Sequence, residues 1–155
     1  MPLGWRIGNA LHAKTIFSGE GARRYGGRWN SPGRNRLIYL SEHQSLALLE
    51  VFIHTQPLSP LEEYVVISAE WDGVLMETVA LRSLPQNWRT EPPGPATTAF
   101  GDLWAREMRS AVLATPSVVV PAEFNYLINP AHPDFPRIKI GKPVPFVFDP
   151  RLYDR

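Results

Sequence analysis

Within the run Leu46-Ala47-Leu48-Leu49-Glu50-Val51-Phe52-Ile53, Glu50 is the one charged residue. Its neighbours one helical turn away are Leu46, Ala47, Ile53 and His54, so no Lys or Arg on the same helix can pair with it. His54 at i+4 is the only local partner. Such surroundings penalise a carboxylate's charged form unless a distant group compensates it. A source of counter-charge lies upstream, in Ser18-Gly19-Glu20-Gly21-Ala22-Arg23-Arg24-Tyr25-Gly26-Gly27-Arg28-Trp29-Asn30-Ser31-Pro32-Gly33. Its five glycines allow close backbone approach, and Arg23, Arg24 and Arg28 carry forked donors suited to phosphate oxygens. Tyr25, Trp29 and Tyr39 add aromatic surface. Cationic loop, aromatic strand and isolated acid together describe a site for an anionic ligand with a reactive cationic centre. No Walker lysine follows the glycines and no G-x-G-x-x-G opens a helix, so this is neither a P-loop nor a dinucleotide-binding turn. The plainer alternative makes Glu50 half of a structural ion pair.

Several elements must position these groups. Ser41 with Gln44 three residues on reads as a capping box, which predicts a helix over 41–54, apolar on nearly every face and therefore buried. Before it, 37–40 reads as a short strand. Residues 64–70 and 74–81 read as strands joined at Asp72-Gly73, a favoured hairpin turn. Phe100, Leu103, Trp104 and Met108 recur at helical spacing and predict a helix over 97–109 with those residues in the core. Residues 111–113, 117–120, 125–128, 137–140 and 144–148 read as short strands between proline and asparagine turns, with Asn125 and Asn129 as turn residues. The proline-rich segment 84–95 reads as an extended, mobile surface connection. Strands outnumber helices and meet through short turns, which predicts a single compact α+β domain over 1–155 with a mixed, largely antiparallel sheet.

Composition narrows the function classes. At 155 residues and 44% hydrophobic, with five tryptophans, the chain can bury a real core. Net charge is +1, which gives no bulk attraction to nucleic acid or membrane. The positive charge is thirteen arginines against three lysines, a balance that favours geometric recognition of anions. Cysteine is absent, so disulfides and thiolate chemistry are excluded and a cytoplasmic setting fits. No signal peptide and no apolar run of the ~18 residues needed to span a bilayer is read. His12, His43, His54 and His132 are scattered, without metal-ligand spacing, so no metal is expected.

Taken together, Trp5-Arg6-Ile7, the glycine-arginine loop through Asn30, Tyr39-Leu40, Leu48-Leu49-Glu50-Val51, Pro116-Ser117 and Asn125-Tyr126-Leu127-Ile128-Asn129-Pro130 resemble the RES-domain family. These are the toxins of RES–Xre toxin–antitoxin systems, named for an arginine, a glutamate and a serine. The resemblance covers essentially the whole chain, with a core of about 5–149, and implies a fold similar to the ADP-ribosylating toxins. It implies a chain that consumes NAD as substrate by breaking the nicotinamide–ribose bond, with no resident cofactor and with water, inorganic phosphate or a protein as acceptor. Glu50, Arg28 and Tyr39 are then the catalytic candidates: Glu50 beside the ribose, Arg28 on the pyrophosphate, Tyr39 against nicotinamide or ribose. Arg6, Ser117 and Tyr25 are the substrate-binding candidates, Arg6 as a second clamp or a support for Glu50, Ser117 as a hydrogen-bonding group, Tyr25 as a stacking ring. The implied partner is an Xre-like helix-turn-helix antitoxin covering the NAD entrance, and a homodimer is a further expectation, with 151–155 and the proline-rich connection as candidate surfaces. Two other readings stay open: an RNA-binding or RNA-cleaving toxin, from arginines beside Tyr25 and Trp29, and a non-catalytic partner-binding module in which Glu50 is purely structural.

Overall fold

The computed structural model describes residues 1–55 and 57–153. Asp154 and Arg155, part of the terminal partner surface expected above, lie outside the described residues. The chain runs β1 (Leu3–Asn9), α1 (Glu20–Tyr25), β2 (Ile38–Ser41), α2 (Gln44–His54), β3 (Tyr64–Glu70), β4 (Met76–Thr78), α3 (Pro95–Glu107), β5 (Val112–Pro116), β6 (Phe124–Ile128), β7 (Lys139–Ile140) and β8 (Val144–Phe146). The strands form one sheet in the order β4-β5-β6-β2-β1-β3-β7, with β8 also on β3. Every pairing is antiparallel except β4 with β5. A parallel pair needs a crossover, and α3 lies on it. The expected α+β class with a mixed, largely antiparallel sheet is what the chain adopts.

The sheet is nearly two sheets. β1 pairs with β3 along all seven of its residues, and β2 with β6 along all four of its own. Between them, β1 and β2 share a single register pair, Trp5↔Ser41. Alternation along each strand sends successive side chains to opposite faces. On one face Ile38, Leu40, Tyr126 and Ile128 pack with Trp71 and Ile138. On the other, Ile7, Tyr64 and Val66 pack with Ala47 of α2, while Leu113 and Leu127 pack with Trp29, Trp104 and Ala105 beside α3. The two helices therefore cover different halves of the same face.

Several local expectations are overturned by tertiary pairing. Ser41 does not cap α2: it is a buried strand residue paired with Trp5 and Asn125, and α2 begins at Gln44 behind His43, which makes no side-chain cap. Nor is α2 buried all round. It packs on one side only, burying Leu46 and Ala47 and leaving Leu49 and Ile53 exposed. The Asp72-Gly73 hairpin is absent, because the Asp72 carboxylate accepts from Val74 N–H at 3.0 Å and starts a 3-10 turn over Gly73–Leu75. β4 then joins β5, since β1, β7 and β8 take the edges of β3. Residues 117–120 form a turn in place of a strand: Ser117 Oγ accepts from the N–H groups of Val119 and Val120, both at 3.1 Å. In α3 the buried stripe is Thr97, Gly101, Asp102, Trp104 and Ala105, rotated from the expected one, so Leu103 and Met108 are exposed. Among the described residues no helix is long and apolar enough to cross a membrane.

Candidate active site

Where β1 and β2 part, the Tyr39 carbonyl accepts from an arginine side chain: Arg6 Nη1 donates to it at 2.9 Å. Arg6 Nε is buried with no hydrogen-bond partner, and no carboxylate among the described residues pairs with this guanidinium. Burial lowers its proton affinity, opposed by the nearby Tyr39. A desolvated cation with spare donors and no counter-ion is costly, and an anion seated beside it would relieve the cost.

Tyr39 itself is half-buried on β2, and desolvation pushes its phenol well above the usual range, against a hydrogen bond from Trp29 N–H that pulls it down. The hydroxyl donates to Asn30 Oδ1 at 2.6 Å and accepts from Trp29 N at 3.1 Å. It is therefore a fixed support for the glycine-arginine loop and no acid or base near neutral pH. Gly27 must be glycine for this: a Cβ there would stand 2.6 Å from the Tyr39 oxygen.

The loop's arginines divide by partner. Arg23 is spent on Glu20, donating from Nε to both carboxylate oxygens at 3.0 and 2.9 Å. That hydrogen bond, with the charges of Arg23, Arg36 and Arg24, pulls the Glu20 carboxyl down to about 2 against some desolvation. Arg28 reaches across the chain. Its Nη1 donates to the carbonyls of Trp88 (2.9 Å) and Thr90 (2.7 Å), and its Nη2 to Glu91 (2.6 Å). Trp88 stacks on Trp29, ring centroids 6.3 Å apart. The proline-rich connection, expected to be a mobile surface segment, is fastened to the loop by these contacts and brings Glu91 and Pro93 to the site.

Glu50 projects from α2 one turn before its end. Its Oε2 lies 3.3 Å from His54 Nε2, and the carboxylate's side chain is 25% exposed, so it is less dry than its helix neighbours suggest. The hydrogen bond that His54 donates to Glu50 raises the His54 pKa, partly offset by desolvation; Glu50, Glu91 and Arg28 also act on it through their charges.

Arg6, Tyr25, Arg28, Tyr39 and Glu50 all line one cleft of about 1710 Å³. That is ample for a dinucleotide, since drug-sized pockets run to ~1,000 Å³. Tyr25 stands at its rim, 82% exposed. Ser117 does not line it. This serine is wholly buried, and the turn it ties presents Val118 and Val119 to the cleft instead. Asn125, read from sequence as a turn residue, sits in β6 and lines the cleft, its Nδ2 near Leu40 O (3.4 Å) and Ser41 Oγ (3.3 Å). Asn129 is a turn residue as expected, its Oδ1 accepting from Ala131 N–H. Sequence reasoning missed Glu91, Asn125 and Ser41. The alternation of polar Asn125 with Tyr126 and Leu127 was a usable signal; nothing local flagged Glu91. Glu42, His43 and Glu123, distant in sequence, bring three potential ligand atoms within 4.8 Å of one another, a grouping the scattered histidines did not reveal. Their contacts are internal: His43 Nδ1 lies 3.1 Å from Glu123 Oε2, and Glu42 accepts from Phe124 N–H at 2.9 Å.

The chain is 41% identical to the "Prs ADP-ribosylating toxin" of Sphingobium sp. (strain YBL2), covering 96% of this chain and 94% of the relative. It is 36% identical to "Toxin Res" of Yersinia enterocolitica, over 96% and 97% of the two chains. A segment of 56 residues, 36% of this chain and 30% of the relative, is 42% identical to "NAD(+) phosphorylase MbcT" of Mycobacterium tuberculosis. The crystal structure of the M. tuberculosis MbcT–MbcA toxin–antitoxin complex contains a chain of the same fold, with a TM-score of 0.75 at 21% identity, over 98% of this chain and 86% of that one. The sequence model of the RES domain matches residues 3–149, and this chain belongs to the RES-domain family.

Proposed function

We propose that this chain is the toxin of a toxin–antitoxin pair and that its cleft binds NAD and breaks the bond between nicotinamide and ribose. One observation carries the reading: an unpaired, desolvated arginine and an isolated carboxylate, Arg6 and Glu50, open onto the same dinucleotide-sized cleft. Nicotinamide in NAD is a cationic leaving group. When the C–N bond breaks, its electron pair stays with the ring nitrogen, nicotinamide departs neutral and the ribose carbon becomes oxocarbenium-like. A fixed anion beside that carbon lowers the barrier, and glycosidases use carboxylates in the same way. Glu50 takes this role. Arg6, with Arg28, binds the diphosphate; Tyr39 offers a ring face and a rigid wall, since its hydroxyl is already engaged. Tyr25 stacks on an exposed base or nicotinamide ring, and Ser117 shapes the wall behind Val118 and Val119.

NAD is consumed here as a substrate, so no resident cofactor takes part. The acceptor of ADP-ribose is water, inorganic phosphate or a protein side chain. Relatives named for ADP-ribosylation and for NAD phosphorolysis support the last two. A toxin–antitoxin complex as structural neighbour supports an antitoxin partner for this chain, which we assign to the Xre-like helix-turn-helix class, seated over the cleft of a cytoplasmic, self-associating toxin. The deciding experiment incubates purified protein with NAD, with and without phosphate and with cell extract as protein acceptor, and follows free nicotinamide. Wild type releases it, and Glu50→Gln lowers kcat about 10²–10³-fold while leaving the fold intact. No release under any of the three conditions would overturn the proposal.

A further inference from the structure

We propose that Glu91 is a built-in competitor of the substrate, holding Nη2 of Arg28, a donor that a diphosphate would use. The inference rests on the NAD-binding reading above and adds a determinant of affinity to it. A guanidinium has five N–H donors, two on each Nη and one on Nε. Both Nη1 protons of Arg28 go to backbone carbonyls, of Trp88 and Thr90. They cannot be surrendered cheaply, because those carbonyls belong to a segment also fixed by the Trp29–Trp88 stack. The Nη2 edge is different. Its partner is the Glu91 carboxylate at 2.6 Å, on a side chain 71% exposed, while Arg28 is only 16% exposed. Glu91 can swing into water and remain solvated; Arg28 cannot follow it.

Among the described residues no partner takes Arg28 Nε–H, so an incoming phosphate has that donor open and gains the Nη2 proton held by Glu91 by displacing one carboxylate, while residues 88–90 stay docked. Glu91 also lines the cleft, and its charge is felt at His54, next to Glu50. An anionic ligand thus meets both a competitor and a like charge at the same place. Because the Glu91 half of the pair is largely open to solvent, the pair is worth little by itself, and the competition sets affinity by a modest factor.

The test is steady-state nicotinamide release by the full chain. Glu91→Gln lowers the KM for NAD about three- to fivefold at unchanged kcat, whereas Glu91→Asp, which keeps the charge, stays near wild type. An unchanged or raised KM in both Glu91→Gln and Glu91→Ala, with wild type active, overturns the proposal and makes Glu91 a strut of the cleft wall. If wild type releases no nicotinamide, the activity reading has failed separately. Calorimetric titration with inorganic pyrophosphate then decides: tighter binding to Glu91→Gln than to wild type upholds the competition, and equal or weaker binding sinks it.

Discussion

Tyr39 separates two kinds of polar chemistry: its hydroxyl belongs to a closed network, its carbonyl to an open one. On the α3 side, Tyr39 donates to Asn30, Asn30 Nδ2 donates to Ala22 O at 2.8 Å, and buried Asp102 accepts from Ser31 N–H and from Asn35 Nδ2. Each of these groups finds its partners within the chain. On the α2 side, among the described residues, Arg6 Nε has no partner and Glu50 has only a solvent-reaching histidine. The closed side is the more deeply buried, with Asn30 and Asp102 buried and Arg6 and Glu50 only partly so, but burial does not say which groups are free to bind. Satisfaction does: a closed network builds the loop, and an open one is left for a ligand.

The contrast can be broken most forcefully at the closed side. α3 approaches the loop so tightly that a Cβ on Gly101 would lie 1.9 Å from Trp29 O. Gly101→Ala should cost about 3 kcal/mol, on the order of 10 °C in melting temperature by calorimetry. A melting temperature near wild type would mean that α3 can slide away from Trp29. Next in size, Asp102→Ala strands the Ser31 N–H and should cost about 2 kcal/mol in urea unfolding. Glu50→Gln, by comparison, should cost less than about 0.5 kcal/mol. Equal losses for the two carboxylates would erase the distinction between the closed and open sides.

Arg6→Met sharpens it from the open side. Removing a desolvated, unpaired cation should leave stability within about 1 kcal/mol or raise it, while the KM for NAD rises about tenfold, the worth of one charged hydrogen bond. A clear loss of stability with KM unaltered would transfer Arg6 to the closed class. The smallest effect concerns His54. Its folded-state pKa is raised above the ordinary 6.5, so the Glu50–His54 pair stabilises α2 fully below that pH and the contribution fades as pH rises through the raised value. The imidazole is mostly exposed, which limits the effect to about 0.3–0.5 kcal/mol. Unfolding curves of wild type and His54→Gln between pH 5 and 9 should converge at the alkaline end, and a constant gap across that range would mean that the charge on His54 is immaterial.

Much of this was legible one residue at a time. Periodicity located α3 within two residues of its ends, and 64–70 was placed as a strand with its boundaries intact. Glu50 stood out because a helix without a nearby cation cannot hide a carboxylate, and the structure leaves it with the one local partner its spacing allowed, His54. The failures share a cause. Ser41 had the side chain of a cap but lay between two strands, and Asp72-Gly73 had the composition of a hairpin but turned toward β5. Local propensity is worth about 1 kcal/mol, and a competing ladder outweighs it.

The sequence by itself determined which groups were available: a carboxylate without a cation on its own helix, a loop rich in arginine and glycine, and an aromatic strand between them. Only the tertiary structure decided which arginines of the chain are engaged and which are open. Glu20 consumes Arg23, the distant Trp88, Thr90 and Glu91 hold Arg28, and Arg6 is left open at the parting of β1 and β2. The physical reason is that hydrogen-bond satisfaction depends on neighbours in space, and the partners that settle it for Arg28 lie some sixty residues away along the chain.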